Sequence, residues 1–204
     1  KPLPVAPPPG LRAATSQSAA AFNPVLFDPA IAEVVQQVAA TNLHALVSQW
    51  SGVSPAVSGG ELVAIATRYT TNQVATMRAS LVARQRFEGL GLPAQFHHWS
   101  ASGYSNRNVV ATLPGGALSQ EVIVVAAHLD SYAPAPRAIA PGADDNASGS
   151  AAVVIAADLL RRFRFDRTIR FILFTGEEQG LYGSDRYASA AASAGDNIVA
   201  VFNM

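Results

Sequence analysis

The apolar positions change period along the chain. Ile31, Val34, Val35, Val38, Leu43 and Leu46 recur at roughly helical spacing, and Asp28-Pro29 opens that run with an N-cap acceptor followed by proline. The pattern predicts one helix from 28 to about 50. Residues 51–60 are rich in turn formers, 61–71 read as a short helix or loop, and 75–88 form a second amphipathic helix stopped by Gly89-Leu90-Gly91-Leu92-Pro93. The chain then shifts to strand character at 94–100 and 108–113, two segments suited to antiparallel pairing. The run Val122-Ile123-Val124-Val125 is continuously apolar, as in a strand covered on both faces. Beyond it the pattern predicts a Pro-containing loop at 131–142, a helix at 147–163, a strand at 167–175, a helix at 181–194 and a strand at 197–203. Strands alternating with helices imply right-handed crossovers and an α/β fold: a three-layer α/β/α sandwich on a mixed, largely parallel sheet.

Composition narrows this picture. The chain has 204 residues, half of them hydrophobic, enough for one core. It divides into a Pro/Ala-rich extended leader at 1–27, opening Lys1-Pro-Leu-Pro-Val-Ala-Pro-Pro-Pro-Gly10, and one domain at 28–204. The 14 basic residues balance the 14 acidic ones, so charge gives no reason to expect nucleic acid or an anionic membrane as partner. The cluster Arg161, Arg162, Arg164, Arg167 and Arg170 begins where a helix should end, and cations there favour the helix dipole. No apolar run reaches bilayer-crossing length. A leader of this kind fits a segment following a removed export signal, and a secreted or periplasmic location is the expectation. Cysteine is absent, which removes disulfides, thiol catalysis and thiolate ligands, so any metal must be held by nitrogen and oxygen.

The candidate chemistry lies in three turns, each next to a predicted strand end. The first carries His128 and Asp130; a metal-bound imidazole usually donates its other N–H, and Asp130 is placed to receive it. The second is Gly142-Ala143-Asp144-Asp145-Asn146-Ala147-Ser148-Gly149, where one aspartate could bridge two cations. The third, Gly176-Glu177-Glu178-Gln179-Gly180, sets two carboxylates side by side after a buried run, where they repel unless a cation or shared proton compensates. One of those glutamates suits metal binding and the other general-base work. His44 reads as an ordinary helix residue. His97 and His98, adjacent on a strand, point to opposite faces and cannot chelate together. No Gly-x-Ser-x-Gly occurs to support a serine hydrolase. Asn146-Ala147-Ser148 matches a glycosylation acceptor, yet a glycan there would block the site.

These three motifs, in this order, resemble those of the M28 family of dizinc metallopeptidases, of the bacterial leucyl aminopeptidase type. The resemblance implies two Zn2+ ions, with His128 and Glu178 on different ions and Asp144 bridging them. It assigns Glu177 as general base, Asp130 as the partner of the histidine, and Asp145 as the residue joined to the bridging aspartate by a cis peptide. The implied activity is release of N-terminal residues from peptides with a free N-terminus, through a metal-bridged water. Family members supply a further aspartate, after a strand reading Asn-x-Asp, and a later histidine. The chain reads Val201-Phe202-Asn203-Met204 at that point, so these ligands are expected from a C-terminal continuation or companion fragment, and the 204 residues alone are expected to be incomplete as an enzyme. The alternatives are a carboxypeptidase or glutaminyl cyclase of the same fold, and a catalytically inactive peptidase-like binding domain.

Overall fold

A mixed five-stranded sheet organises the computed structural model, which describes residues 27–134 and 138–204. The leader, apart from Phe27, lies outside the described residues. The predicted first helix is two helices, α1 (Pro29–Gln36) and α2 (Ala40–Trp50). The step from Val38 to Leu43 explains the break: five residues at about 100° each turn the apolar stripe by roughly 140°, off the face that began it. On α1, Ile31 and Val35 remain exposed, whereas Leu46 and Trp50 of α2 are buried. The 61–71 segment is not helical. Instead β1 (Ala56–Ser58) and β2 (Glu61–Val63) form an antiparallel hairpin, and Thr67 and Tyr69 make parallel bridges to Ala140 and Ser131.

Helix α3 (Gln73–Gly89) starts at Asn72, whose side chain accepts from the amide of Ala75. Strands β3 (Ala94–Ala101) and β4 (Tyr104–Leu113) form the expected antiparallel hairpin. Then come β5 (Leu118–His128), helix α4 (Gly149–Leu160), β6 (Arg167–Phe174), helix α5 (Tyr182–Ala194) and β7 (Asn197–Asn203). The strand order is β3-β4-β6-β5-β7. β6-β5-β7 are parallel, and β4 and β3 continue the sheet antiparallel, so parallel pairing is confined to the half that bears the site.

Strand alternation sorts the core into two layers. Val125 and Ala127 of β5, with Ile169, Phe171 and Leu173 of β6, pack against α2, α3 and α4. Val122, Val124 and Ala126, with Ile172, face α5 through Tyr187 and Ala191. Phe87 of α3 and Phe171 are both fully buried and stack with centroids 6.5 Å apart. Each buried aromatic of this kind contributes about 1.5–3 kcal/mol relative to exposure. Four of the five arginines of the basic cluster are paired: Arg161 and Arg162 with Asp158, Arg167 with Glu121, and Arg170 with Asp196. Among the described residues no helix is long and apolar enough to cross a membrane.

Candidate metal centre

Parallel pairing of β5 with β6 puts His128 opposite Phe174, so the turns that follow both strands leave the sheet at one edge. The start of α4 is tied to the same edge, because the Ser150 hydroxyl donates to the carbonyl of His128 at 2.8 Å. Three turns distant in sequence therefore meet.

The His128 ring is largely buried, with 14% of its side chain exposed. Its Nδ1 lies 3.1 Å from the backbone carbonyl of Asp130. A carbonyl only accepts, so this bond puts a proton on Nδ1. Nε2 sits 3.0 Å from Oδ1 of Asp145. Asp145, rather than Asp144, is thus the aspartate brought to the histidine. Both aspartates are exposed, and the Asp144 carbonyl accepts from the Ser148 hydroxyl at 2.6 Å. The cis peptide expected between Asp144 and Asp145 lies one bond later, between Asp145 and Asn146. The sequence alone gave two adjacent aspartates and no means of choosing which one faces the sheet edge.

Asp130 does more than the sequence implied. It meets His128 through its carbonyl, while its fully buried carboxylate is 3.8 Å from Nδ1 and accepts the amides of Glu177 and Glu178 at 3.3 Å each. One side chain therefore connects the histidine turn to the glutamate turn. Burial pushes the Asp130 carboxyl above the ordinary aspartate range, opposed first by the Thr70 hydroxyl, then by His128 and the two amides.

The glutamate turn depends on close packing. Gly176 has φ +76°, and a Cβ there would lie 2.5 Å from Cζ2 of Trp99, which is itself buried. Thr175 is held by Asn108, whose carbonyl oxygen accepts the Thr175 amide at 3.0 Å, and by Trp99, whose indole N–H donates to its hydroxyl at 2.9 Å. The Asn108 amide also donates to the carbonyl of Gly183 at 2.8 Å, fixing the start of α5. Sequence reasoning missed Asn108, Trp99 and Thr175. The one available signal was a polar Asn108 at the head of the apolar run Val109-Val110-Ala111.

Among the described residues, His128, Glu177 and Glu178 offer ligand atoms that all lie within 4.8 Å of one another. Burial raises the Glu178 carboxyl above the usual range, and the charges of Asp145, Asp130 and Glu177 add to that, with His128 acting the other way. A cation would relieve this crowding. One imidazole and several carboxylates form a nitrogen and oxygen set that suits zinc. His44 is exposed on α2, and His97 packs on Tyr187 with Nδ1 beside the Asn108 amide, so neither joins the group. His98 is exposed on β3 and lies 6.2 Å from the Phe96 ring, measured between centroids. The sequon asparagine is engaged internally: Asn146 accepts from the Gly149 amide at 2.8 Å and donates to the carbonyl of Met204 at 2.9 Å. A cavity of about 470 Å³ opens from His128 and Glu177 along the α5 face, lined by Leu181, Tyr187, Ile198 and Val201.

Comparison with known proteins finds a peptidase family and peptidase relatives. Residues 108–204 match the model of Peptidase family M28. A probable zinc metalloprotease of Pyricularia oryzae is 44% identical over 102 residues, covering 47% of this chain and 20% of the relative. Leucine aminopeptidase 1 of Trichophyton rubrum is 33% identical over 118 residues, covering 54% and 30%. The LapA aminopeptidase of Legionella pneumophila superposes with a TM-score of 0.74 at 16% identity, over 94% of this chain and 48% of that one. The last likeness shows the fold. The matched stretches span a third or less of these two curated relatives and about half of LapA.

Proposed function

We propose, from the match of residues 108–204 to the model of Peptidase family M28, that this chain carries part of a zinc-dependent aminopeptidase. The observation that carries the reading is the meeting of His128, Asp145, Glu177 and Glu178 at one sheet edge, with Glu178 held above its ordinary range. The names zinc metalloprotease and leucine aminopeptidase among the relatives support the class of reaction and the metal. Peptides with a free N-terminus are the proposed substrates.

In this reading Nε2 of His128 and the carboxylates of Asp145 and Glu178 would hold the zinc, with Asp145 rather than Asp144 as the aspartate ligand. The further aspartate and histidine that the family resemblance implies are proposed to come from sequence other than these 204 residues. Bound zinc supplies Lewis acidity and lowers the pKa of water. The chain's own residues do the rest. Asp130 holds the turn that presents Glu177 and Glu178, through their amides, and its carbonyl fixes the tautomer of His128. Glu177 shares the ligand cluster and lines the adjoining cavity. It is placed to take a proton from water at the cavity floor and return it to the departing amine.

Replacing Glu177 with Gln in the intact protein tests this role. A general base predicts that kcat falls by about 10²–10⁴ with zinc content unchanged. Full activity in that variant would remove Glu177 from the chemistry.

A further inference from the structure

The largest buried charge that the proposed mechanism leaves unused is Arg68. Its side chain is fully buried, on a segment that precedes the site by some sixty residues in sequence. Its guanidinium donates to four backbone carbonyls: Leu129 at 2.6 Å, Pro141 and Gly142 at 2.9 Å each, and Trp50. Desolvation lowers its pKa to about 10, opposed by the charge of Asp130. An arginine held this deep on neutral carbonyls is costly to bury, and its planar fork fixes the positions of the groups it binds.

Those groups belong to the two turns that make the site. Leu129 directly follows His128. The Gly142 carbonyl also accepts the amide of Ala147 at 2.9 Å, closing the turn that contains Asp145. Gly142 itself has φ +47°, and a Cβ there would lie 2.5 Å from Cβ of Ser131 and 3.1 Å from Nη2 of Arg68. The backbone adds a second grip. The Arg68 carbonyl accepts the Ser131 amide at 2.9 Å, and its neighbours Thr67 and Tyr69 bridge to Ala140 and Ser131.

We infer that Arg68 is a positioning residue for the metal centre, holding the Leu129 and Gly142 carbonyls so that His128 and Asp145 face each other. This rests on the metal reading of the site. Arg68 touches neither ligand; it acts through the backbone on either side of them.

The test compares the intact wild-type protein with Arg68→Lys and with Phe87→Leu, a core change between α3 and β6 that serves as a control for lost stability. Two readouts are taken: zinc affinity by chelator competition, and amide hydrogen exchange at Ser131 and Ala147 in metal-free protein. Lysine keeps the charge and loses the fork. Arg68→Lys is expected to bind zinc about 10–100-fold more weakly, the range seen when a residue supporting a metal ligand is lost. It should also exchange faster at both amides, while Phe87→Leu keeps wild-type zinc affinity. Zinc affinity within twofold of wild type, with both amides still protected, would overturn the inference alone. Wild-type protein that binds no zinc would overturn the metal reading and with it the inference, whereas the exchange data would still report whether Arg68 orders the two turns. Should Arg68→Lys not fold, Arg68→Gln takes its place, and failure of both to fold would assign Arg68 to folding and overturn the inference.

Discussion

Replacing Asp130 with Asn separates the scaffold of the site from its chemistry. The Asp130 carboxylate offers one oxygen to the amide of Glu177 and the other to that of Glu178, both at 3.3 Å. An asparagine keeps one acceptor and turns an NH2 toward the second amide. A buried N–H left without a partner costs about 1–3 kcal/mol. The surviving bond also loses its charge assistance, worth about 1 kcal/mol. Against this, the neutral side chain escapes the desolvation that pushes the Asp130 carboxyl upward. The net expectation is a loss of about 2 kcal/mol, which lowers Tm by about 4–8 °C for a chain of this size. Metal-free protein is the right sample, so that lost zinc does not add to the effect. Denaturant titration of wild type and Asp130→Asn, followed by far-UV circular dichroism, measures it. Stability within about 0.5 kcal/mol of wild type would mean that the two glutamate amides do not need this carboxylate, and the argument for Asp130 as the connection between the turns would fail.

Gly176→Ala combines a left-handed φ of +76° with a Cβ placed 2.5 Å from the buried Trp99 ring. Together these should cost about 2–4 kcal/mol by the same titration, and a loss below about 1 kcal/mol would contradict the packing described. The half-buried pair Arg170–Asp196 gives a pH dependence. The Arg170 hydrogen bonds hold the Asp196 carboxyl below the ordinary range, so the folded chain binds that proton less readily than the unfolded chain. The stabilisation is therefore present above the unfolded value of about 4 and is lost as pH falls through the folded value. Asp196→Asn should lower stability by about 1 kcal/mol at pH 7, and the difference should close in acid; a gap that persists unchanged there would refute the assignment.

Much of this was legible in the sequence because the pattern and the structure obey one local rule. The apolar run of β5 reports burial directly, and the elements from 73 onward stand close to where periodicity puts them. Where it failed, the deciding contact was tertiary. The helix expected from 28 to 50 breaks because its apolar stripe turns away from the core, a rotation visible in the spacing only after the packed face is known. The hairpin of β1 and β2 carries Val57 and Leu62 exposed, so no alternation toward a core marked it. The histidine and glutamate turns could be read from residue type and position after a strand. Choosing Asp145 over Asp144 required the backbone path through 142–147, which is set by the Gly142 to Ala147 closure and by Arg68 beneath it. Nothing in Arg68's own neighbourhood in sequence marks it as buried, since all its side-chain acceptors are carbonyls distant along the chain.

The most direct test of the account is zinc per chain, by elemental analysis, in the intact protein and in the separate variants Asp145→Asn and Asp144→Asn. Wild type and Asp144→Asn should carry the same zinc, and Asp145→Asn should lose it. Zinc lost from Asp144→Asn and kept by Asp145→Asn would contradict the geometry described here, and a wild-type protein without zinc would contradict the metal centre itself.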